Sequence, residues 1–164
     1  MIFHKPTLDL ISQSLLLKGK TISVAEDVTS GLLQFSFSQM QNAPLFYKGG
    51  MTVCTVDEKI RLLNVEPAET RNCGISEYIA DKMAVEIAKV FHTDWGIGIT
   101  GYVSPIRESG FSIYMHFSMS YKGSVVSSRK MELDQAMPLG EAQLFFTRNV
   151  LEQFKCKLES YKIS

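Results

Sequence analysis

Apolar residues recur at helical spacing at Leu8, Ile11, Leu15 and Leu16, so residues 7–18 read as an amphipathic helix that Gly19 stops. Thr21–Ala25 alternates polar and apolar side chains, the pattern of a short strand. Thr29-Ser30-Gly31 then opens a second helix running to about Met40, and Pro44 breaks the pattern. Lys48-Gly49-Gly50 precedes a β-prone segment, Met51–Thr55. Thr55-Val56-Asp57-Glu58 has the Thr-x-x-Glu form of a capping box, which predicts a helix with Lys59 in its first turn. Pro67 and Gly74 bracket a loop, after which Ser76 caps a long helix. Its apolar face is Ile79, Met83, Ile87, Val90 and Phe91. Trp95–Thr100 reads as a buried strand ending at Gly101. Phe111, Ile113, Met115 and Phe117 alternate with Ser112, Tyr114, His116 and Ser118, a strand with two unlike faces. Tyr121-Lys122-Gly123-Ser124 is a hairpin turn into Val125–Met131. A final helix from about Gly140 to Leu158 sets Leu144, Leu151, Phe154 and Leu158 on one side. Helices that alternate with strands and then give way to a hairpin predict an α/β fold. The arrangement expected is a three-layer α/β/α sandwich with a mixed sheet.

No repeat, low-complexity stretch or linker interrupts this pattern, so residues 1–164 are read as a single domain. The 17 basic and 17 acidic side chains balance, which argues against a nucleic-acid or membrane-surface protein, since both usually carry a basic excess. Three cysteines, Cys54, Cys73 and Cys156, form no Cys-x-x-Cys pair and imply reduced thiols rather than a disulfide framework. No apolar run approaches the roughly 20 residues that span a bilayer. The opening Met-Ile-Phe-His-Lys-Pro lacks the apolar core of a secretory signal. A cytoplasmic location is expected. His4, His92 and His116 are too scattered for a zinc motif, and neither a metal nor a cofactor is expected.

In sheets of this kind ligands bind beyond the carboxyl ends of strands, next to helix N-termini. Three loops fit that position: Ala25-Glu26-Asp27-Val28-Thr29-Ser30-Gly31, Cys54-Thr55-Val56-Asp57-Glu58-Lys59, and Thr100-Gly101-Tyr102-Val103-Ser104-Pro105. These loops, with Lys48-Gly49-Gly50, Leu63-Asn64-Val65 and Gly74-Ile75-Ser76-Glu77, keep the order of the motifs of a known family. Over about residues 8–155 the chain resembles the CinA C-terminal, or nicotinamide-nucleotide amidase, family. The family's motifs look like Ala-Glu-Ser-Cys-Thr-Gly-Gly, a strand ending in Tyr-Ser-Asn followed by Glu-x-Lys, Gly-Ala-Val-Ser-Glu, and Ile-Thr-Gly-Ile-Ala-Gly-Pro.

The resemblance implies an amidohydrolase that converts nicotinamide mononucleotide to nicotinic acid mononucleotide and ammonia. A serine would be activated by a partly desolvated lysine, and backbone N–H groups at a helix start would hold the oxyanion. It also implies a homodimer. The chain departs from that pattern. Asp27 stands at the serine position, Val28 at the neighbouring cysteine, Cys54 at the tyrosine and Val56 at the asparagine, whereas Lys59 and Thr29 are kept. The Gly-rich insert after Pro105 is reduced to Ile106-Arg107-Glu108-Ser109, and no arginine stands near Met137-Pro138-Leu139.

Lys59, Asp27 and Thr29 are accordingly the candidate catalytic residues. Glu26, Ser30, Gly31, Gly50, Cys54, Thr55, Thr100, Gly101 and Pro105 are the candidate ligand-binding residues. Asp27 beside Lys59 has three readings: an ion pair filling a former site, part of a pocket for another small molecule, or a general base acting on water. A lysine within about 4 Å would lower the Asp27 pKa and weaken it as a base. Cys54 reads either as a buried strand cysteine or as a nucleophile. His116 reads as a surface residue, Arg107 as a solvated side chain able to reach an anionic ligand, and the Phe35, Phe37, Phe145 and Phe146 group as core or subunit interface. The expected function is a catalytically degenerate small-molecule-binding or interaction protein, with a working amidohydrolase as the alternative. The expected partners are a pyridine nucleotide or other small anionic ligand and a second copy of the chain.

Overall fold

All residues of β1 (Ile22–Glu26) are buried, as an interior strand of a sheet covered on both faces must be. The computed structural model describes residues 2–71, 73–134 and 137–161. Its elements run α1 (Lys5–Leu17), β1, α2 (Leu32–Ser38), α3 (Ala43–Phe46), β2 (Tyr47–Thr52), α4 (Val56–Leu63), α5 (Glu77–Phe91), β3 (Trp95–Tyr102), β4 (Ile113–Tyr121), β5 (Ser124–Leu133) and α6 (Leu139–Ser160). The sheet order is β2-β1-β3-β4-β5. β1 is parallel to β2 and β3, and the β3-β4 and β4-β5 pairs are antiparallel. The sheet is mixed, as expected.

Alternation along the strands divides the interior in two. Ile22, Val24, Trp95, Ile97, Ile99, Met115 and Phe117 join α1, α2, α3 and α6 in the larger apolar cluster. Ala25 joins Leu63 of α4 and Ile79, Met83 and Ile87 of α5 in the smaller one. The smaller layer is thin because the strands present small residues to α5. A Cβ on Gly96 would stand 1.9 Å from the Ala84 carbonyl oxygen, and one on Gly98 would stand 2.3 Å from that of Ala80. Ser23 and Ser120 donate hydroxyl hydrogen bonds to the Ile87 and Ala84 carbonyls, at 3.1 and 2.8 Å. The close approach of α5 therefore depends on missing side chains as much as on apolar ones.

Several local expectations change. Pro44 does not break a helix but lies in the first turn of α3, where its missing N–H costs nothing. Gly49 and Gly50 lie inside β2 rather than before it, and β2 ends at Thr52. Gly49, at φ +138°, leaves room for Phe91, since a Cβ would sit 2.5 Å from that ring. A Cβ on Gly50 would sit 2.6 Å from the Val24 carbonyl oxygen. Phe111 is exposed at φ +61° and precedes β4, so the apolar face of that strand begins at Ile113. Val90 turns to solvent at the end of α5, while Phe91 packs inward. Phe37 and Phe146 are core, and Phe35 and Phe145 are exposed. Lys122 and Gly123, both at positive φ, make the two-residue turn of the hairpin. The acidic half of the Thr55–Glu58 box is absent: Thr55 accepts from the Glu58 N–H at 3.3 Å, and the Glu58 carboxylate pairs with Arg61 instead.

The parallel run of β2, β1 and β3 brings three carboxyl ends to one edge of the sheet. The starts of α2 and α4 follow β1 and β2 there. Gly98→Ala is expected to cost about 2 kcal/mol by forcing backbone against backbone. Gly140→Ala, where a Cβ meets nothing within 4 Å, is expected to be neutral or to gain up to about 1 kcal/mol. Paired urea unfolding curves measure both.

Candidate functional site

At the end of β1 the backbone carries two acidic side chains, Glu26 and Asp27, in opposite directions. Glu26 points inward and is fully buried. Its carboxylate accepts from the Leu33 N–H at 3.1 Å, the Gln34 N–H at 2.9 Å and the Thr29 hydroxyl. Gly31, at φ +94°, supplies no side-chain cap to α2, so Glu26 satisfies the free N–H groups of the first turn from a neighbouring element. Burial first, and then the Glu26 charge, push the Tyr47 phenol up to about 12.

Asp27 points the other way, into a closed network. Its Oδ2 accepts from Lys59 Nζ at 2.5 Å and from the Thr100 hydroxyl at 2.6 Å. Its Oδ1 accepts from the Gly101 N–H at 3.1 Å and from the Val28 N–H. Lys59 is 1% exposed although it belongs to a residue type that is almost never fully buried unless paired. Its ammonium also donates to the Gly74 carbonyl at 2.8 Å and to the Thr100 hydroxyl oxygen at 3.0 Å. An ammonium has three protons, and all three are used. Burial pushes the Asp27 pKa up, and Lys59, Thr100 and the Val28 N–H pull it down without overcoming burial. The lysine acts in the expected direction, but the expected net lowering does not result.

Asp27, 8% exposed, forms part of the wall of a cleft of about 370 Å³. That is at the small end of the size range of ligand pockets. Val28, Ser30, Cys54, Cys73, Ile75, Gly101, Tyr102, Val103, Ser104, Ile106 and Gln143 complete it. Ser30, Cys54 and Gly101 thus meet Asp27 at one cleft. Lys59 and Thr100 lie behind it, and Glu26 and Thr29 belong to the start of α2. Gly31, Gly50, Thr55 and Pro105 are not among the lining residues: Gly50 packs on β1 and Thr55 caps α4. Arg107 is exposed in a 3-10 turn, Arg107–Ser109, just after Ile106. His116 is half-buried beneath α5 rather than on the surface, and burial lowers its pKa. Among the described residues, no group of three or more His, Cys, Asp or Glu is placed to hold a metal ion. None of their helices is long and apolar enough to cross a membrane.

Sequence reasoning missed Gln143 and Cys73. Gln143 Nε2 donates to the Val28 carbonyl at 3.1 Å and to Ser30 Oγ at 3.0 Å, tying α6 to the first loop. One polar residue within a long helix carries no signal of such a contact. A larger, mostly apolar hollow of about 430 Å³ lies elsewhere, between the chain start and α2, and includes none of the candidate residues.

The family model of the CinA C-terminal domain matches residues 5–135. The chain belongs to that family. Among curated proteins, a putative competence-damage inducible protein of Streptococcus pneumoniae is 33% identical over 105 residues, which is 63% of this chain and 25% of that protein. A protein of the same description from Streptococcus equi subsp. equi is 32% identical over 102 residues, 62% of this chain and 23% of that one. The matched region is thus about a quarter of these curated relatives. Two crystal structures from Klebsiella pneumoniae superpose along nearly their whole length. A competence-damaged protein (CinA) superfamily protein does so with TM-score 0.88 and 19% identity, covering 96% of this chain and 98% of that one. A competence damage-inducible protein A does so with TM-score 0.89 and 20% identity over the same shares. At those identities the superpositions establish the fold of this CinA-family chain and nothing of its chemistry.

Thr100→Val removes the hydroxyl shared by Asp27 and Lys59 while keeping the side-chain shape. It is expected to destabilise by about 2 kcal/mol, the cost of an unsatisfied buried polar group. Ser30→Ala, at a partly exposed hydroxyl, should fall within about 0.5 kcal/mol. Thermal and denaturant unfolding of both variants measures the contrast.

Proposed function

We propose that this CinA-family protein binds a small molecule at the Asp27 cleft and performs no amide hydrolysis there. What supports the reading is the saturation of the Asp27–Lys59 network. The position at which the resemblance expects a nucleophilic serine carries a carboxylate with four donors already bound to it. The lysine expected to act as base donates its three ammonium protons to Asp27, the Gly74 carbonyl and Thr100, and it is not among the residues that line the cleft. A base held in this way stabilises its neighbours and accepts nothing from a substrate.

The lining suits a molecule with a ring and hydrogen-bonding groups. Among the lining residues Asp27 alone carries a formal charge, while Ser30, Ser104 and Gln143 offer polar groups beside Val28, Ile75, Val103 and Ile106. The nicotinamide end of a pyridine nucleotide has that character. Arg107, which directly follows Ile106 in the chain, is the candidate for its phosphate.

A second reading has one observation in its favour. Burial raises the Asp27 pKa, and Asp27 borders the cleft, as a general base acting on water would. Nicotinamide mononucleotide incubated with the purified protein decides between the two. The expected result is a rise in melting temperature with no ammonia above the protein-free blank. Ammonia release that disappears in folded Asp27→Ala and Lys59→Ala variants would establish the amidohydrolase instead.

A further inference from the structure

Two of the three cysteines stand at the cleft. Cys54 and Cys73 are both exposed free thiols, and both line it. Cys54 sits in the short link between β2 and the Thr55 cap of α4. Cys73 immediately precedes Gly74, whose carbonyl is held by Lys59 Nζ at 2.8 Å. Gly74 itself lies against the first turn of α4, since a Cβ there would be 3.0 Å from Val56 Cγ2. The segment bearing one thiol is therefore packed on the helix start that the other thiol precedes by two residues. Among the described residues between α4 and Cys73 the one regular element is a 3-10 turn, Pro67–Glu69, and no residue from 66 to 71 is buried. Little buried surface therefore holds residues 66–71 in place. The Tyr102 hydroxyl is buried beside Cys73 with no hydrogen-bond partner of good geometry among the described residues. Burial and the neighbouring thiol push its pKa up, so it stays protonated and available as a donor to the sulfur.

We propose that Cys54 and Cys73 are a redox pair whose disulfide closes the cleft. A hydroperoxide is the oxidant. One thiolate attacks the peroxide oxygen, giving a sulfenic acid and releasing hydroxide, or water once protonated. The second thiol then attacks the sulfenic sulfur, forming the S–S bond and releasing a second water. Two thiols lose two electrons and two protons, and hydrogen peroxide is reduced to two waters. A disulfide needs Cα atoms within about 4.4–6.8 Å, so the bond holds the two cysteine-bearing walls of the cleft at that separation. A thiol pair of this kind, exposed and joined only on oxidation, belongs to the labile, sensing class of disulfides rather than the structural one. That closure matters to function rests on the cleft being the ligand site. The disulfide itself does not.

The test uses the full chain treated with hydrogen peroxide, then alkylated and examined by intact mass and peptide mapping. The expected result is the loss of two hydrogens, a Cys54–Cys73 cross-linked peptide, and Cys156 still alkylatable. Cys54→Ser and Cys73→Ser each abolish the cross-link, Cys156→Ser does not, and dithiothreitol reverses it. Separate sulfinic acids at Cys54 and Cys73, or a cross-link through Cys156, overturn the proposal. Nicotinamide mononucleotide is then offered to the reduced and oxidised forms, with binding expected only in the reduced one. A disulfide in a protein that binds nothing when reduced refutes the ligand reading and leaves the redox pair standing.

Discussion

The ammonium of Lys59 is the point on which the functional end of this protein depends. It joins α4 to the end of β1 through Asp27, to the end of β3 through Thr100, and to the approach to α5 through the Gly74 carbonyl. An isolated ammonium in such a place would lose several kcal/mol of hydration, and only a full set of acceptors makes its burial tolerable. The carboxylate opposite is in the same position and has four donors. Neither member can leave without stranding the other. This explains how the cleft beside them keeps its shape although loops form most of its wall.

The sheet beneath is organised by a different constraint, the nearness of α5. Gly96, Gly98, Ser23 and Ser120 let the helix backbone approach the strands, and the two serines bond its carbonyls directly. The opposite face is conventional, with large apolar side chains packed under α1, α2, α3 and α6. Close packing on the α5 side brings the segment before that helix near the strand ends. There Gly74 meets Lys59, and Cys73 meets the cleft. The site inherits its geometry from glycines that touch no ligand.

Much of this was legible in the sequence, because periodicity reports burial directly. The helices at Lys5–Leu17, Glu77–Phe91 and Leu139–Ser160 and the buried strand at Trp95 follow from apolar spacing, and the hairpin follows from Lys122-Gly123. The errors fall where a residue type has two physical uses. Gly49 and Gly50 look like turn residues but are strand positions kept bare for Phe91 and Val24. Pro44 looks like a breaker but begins a helix. Phe111 extends an alternating pattern that its positive φ interrupts. At the site, the Asp27–Lys59 pair could be weighed from the family-like spacing of the two loops. The inward turn of Glu26 could not, because the helix it caps begins six residues later and its own flank gives no clue. The contribution of Gln143 required knowing that α6 crosses the first loop.

The central claim is that Asp27 and Lys59 form one buried structural unit, and a double-mutant cycle on unfolding free energy addresses it directly. Asp27→Ala, Lys59→Met and the double variant are compared with the parent protein. Lys59→Met alone should cost about 3–5 kcal/mol, because it leaves a carboxylate buried without its cation. The double variant should lose less than the sum of the single losses by at least about 2 kcal/mol. Losses that add to within about 0.5 kcal/mol would mean that the two side chains act independently, and the closed network would not be what holds this end of the fold together.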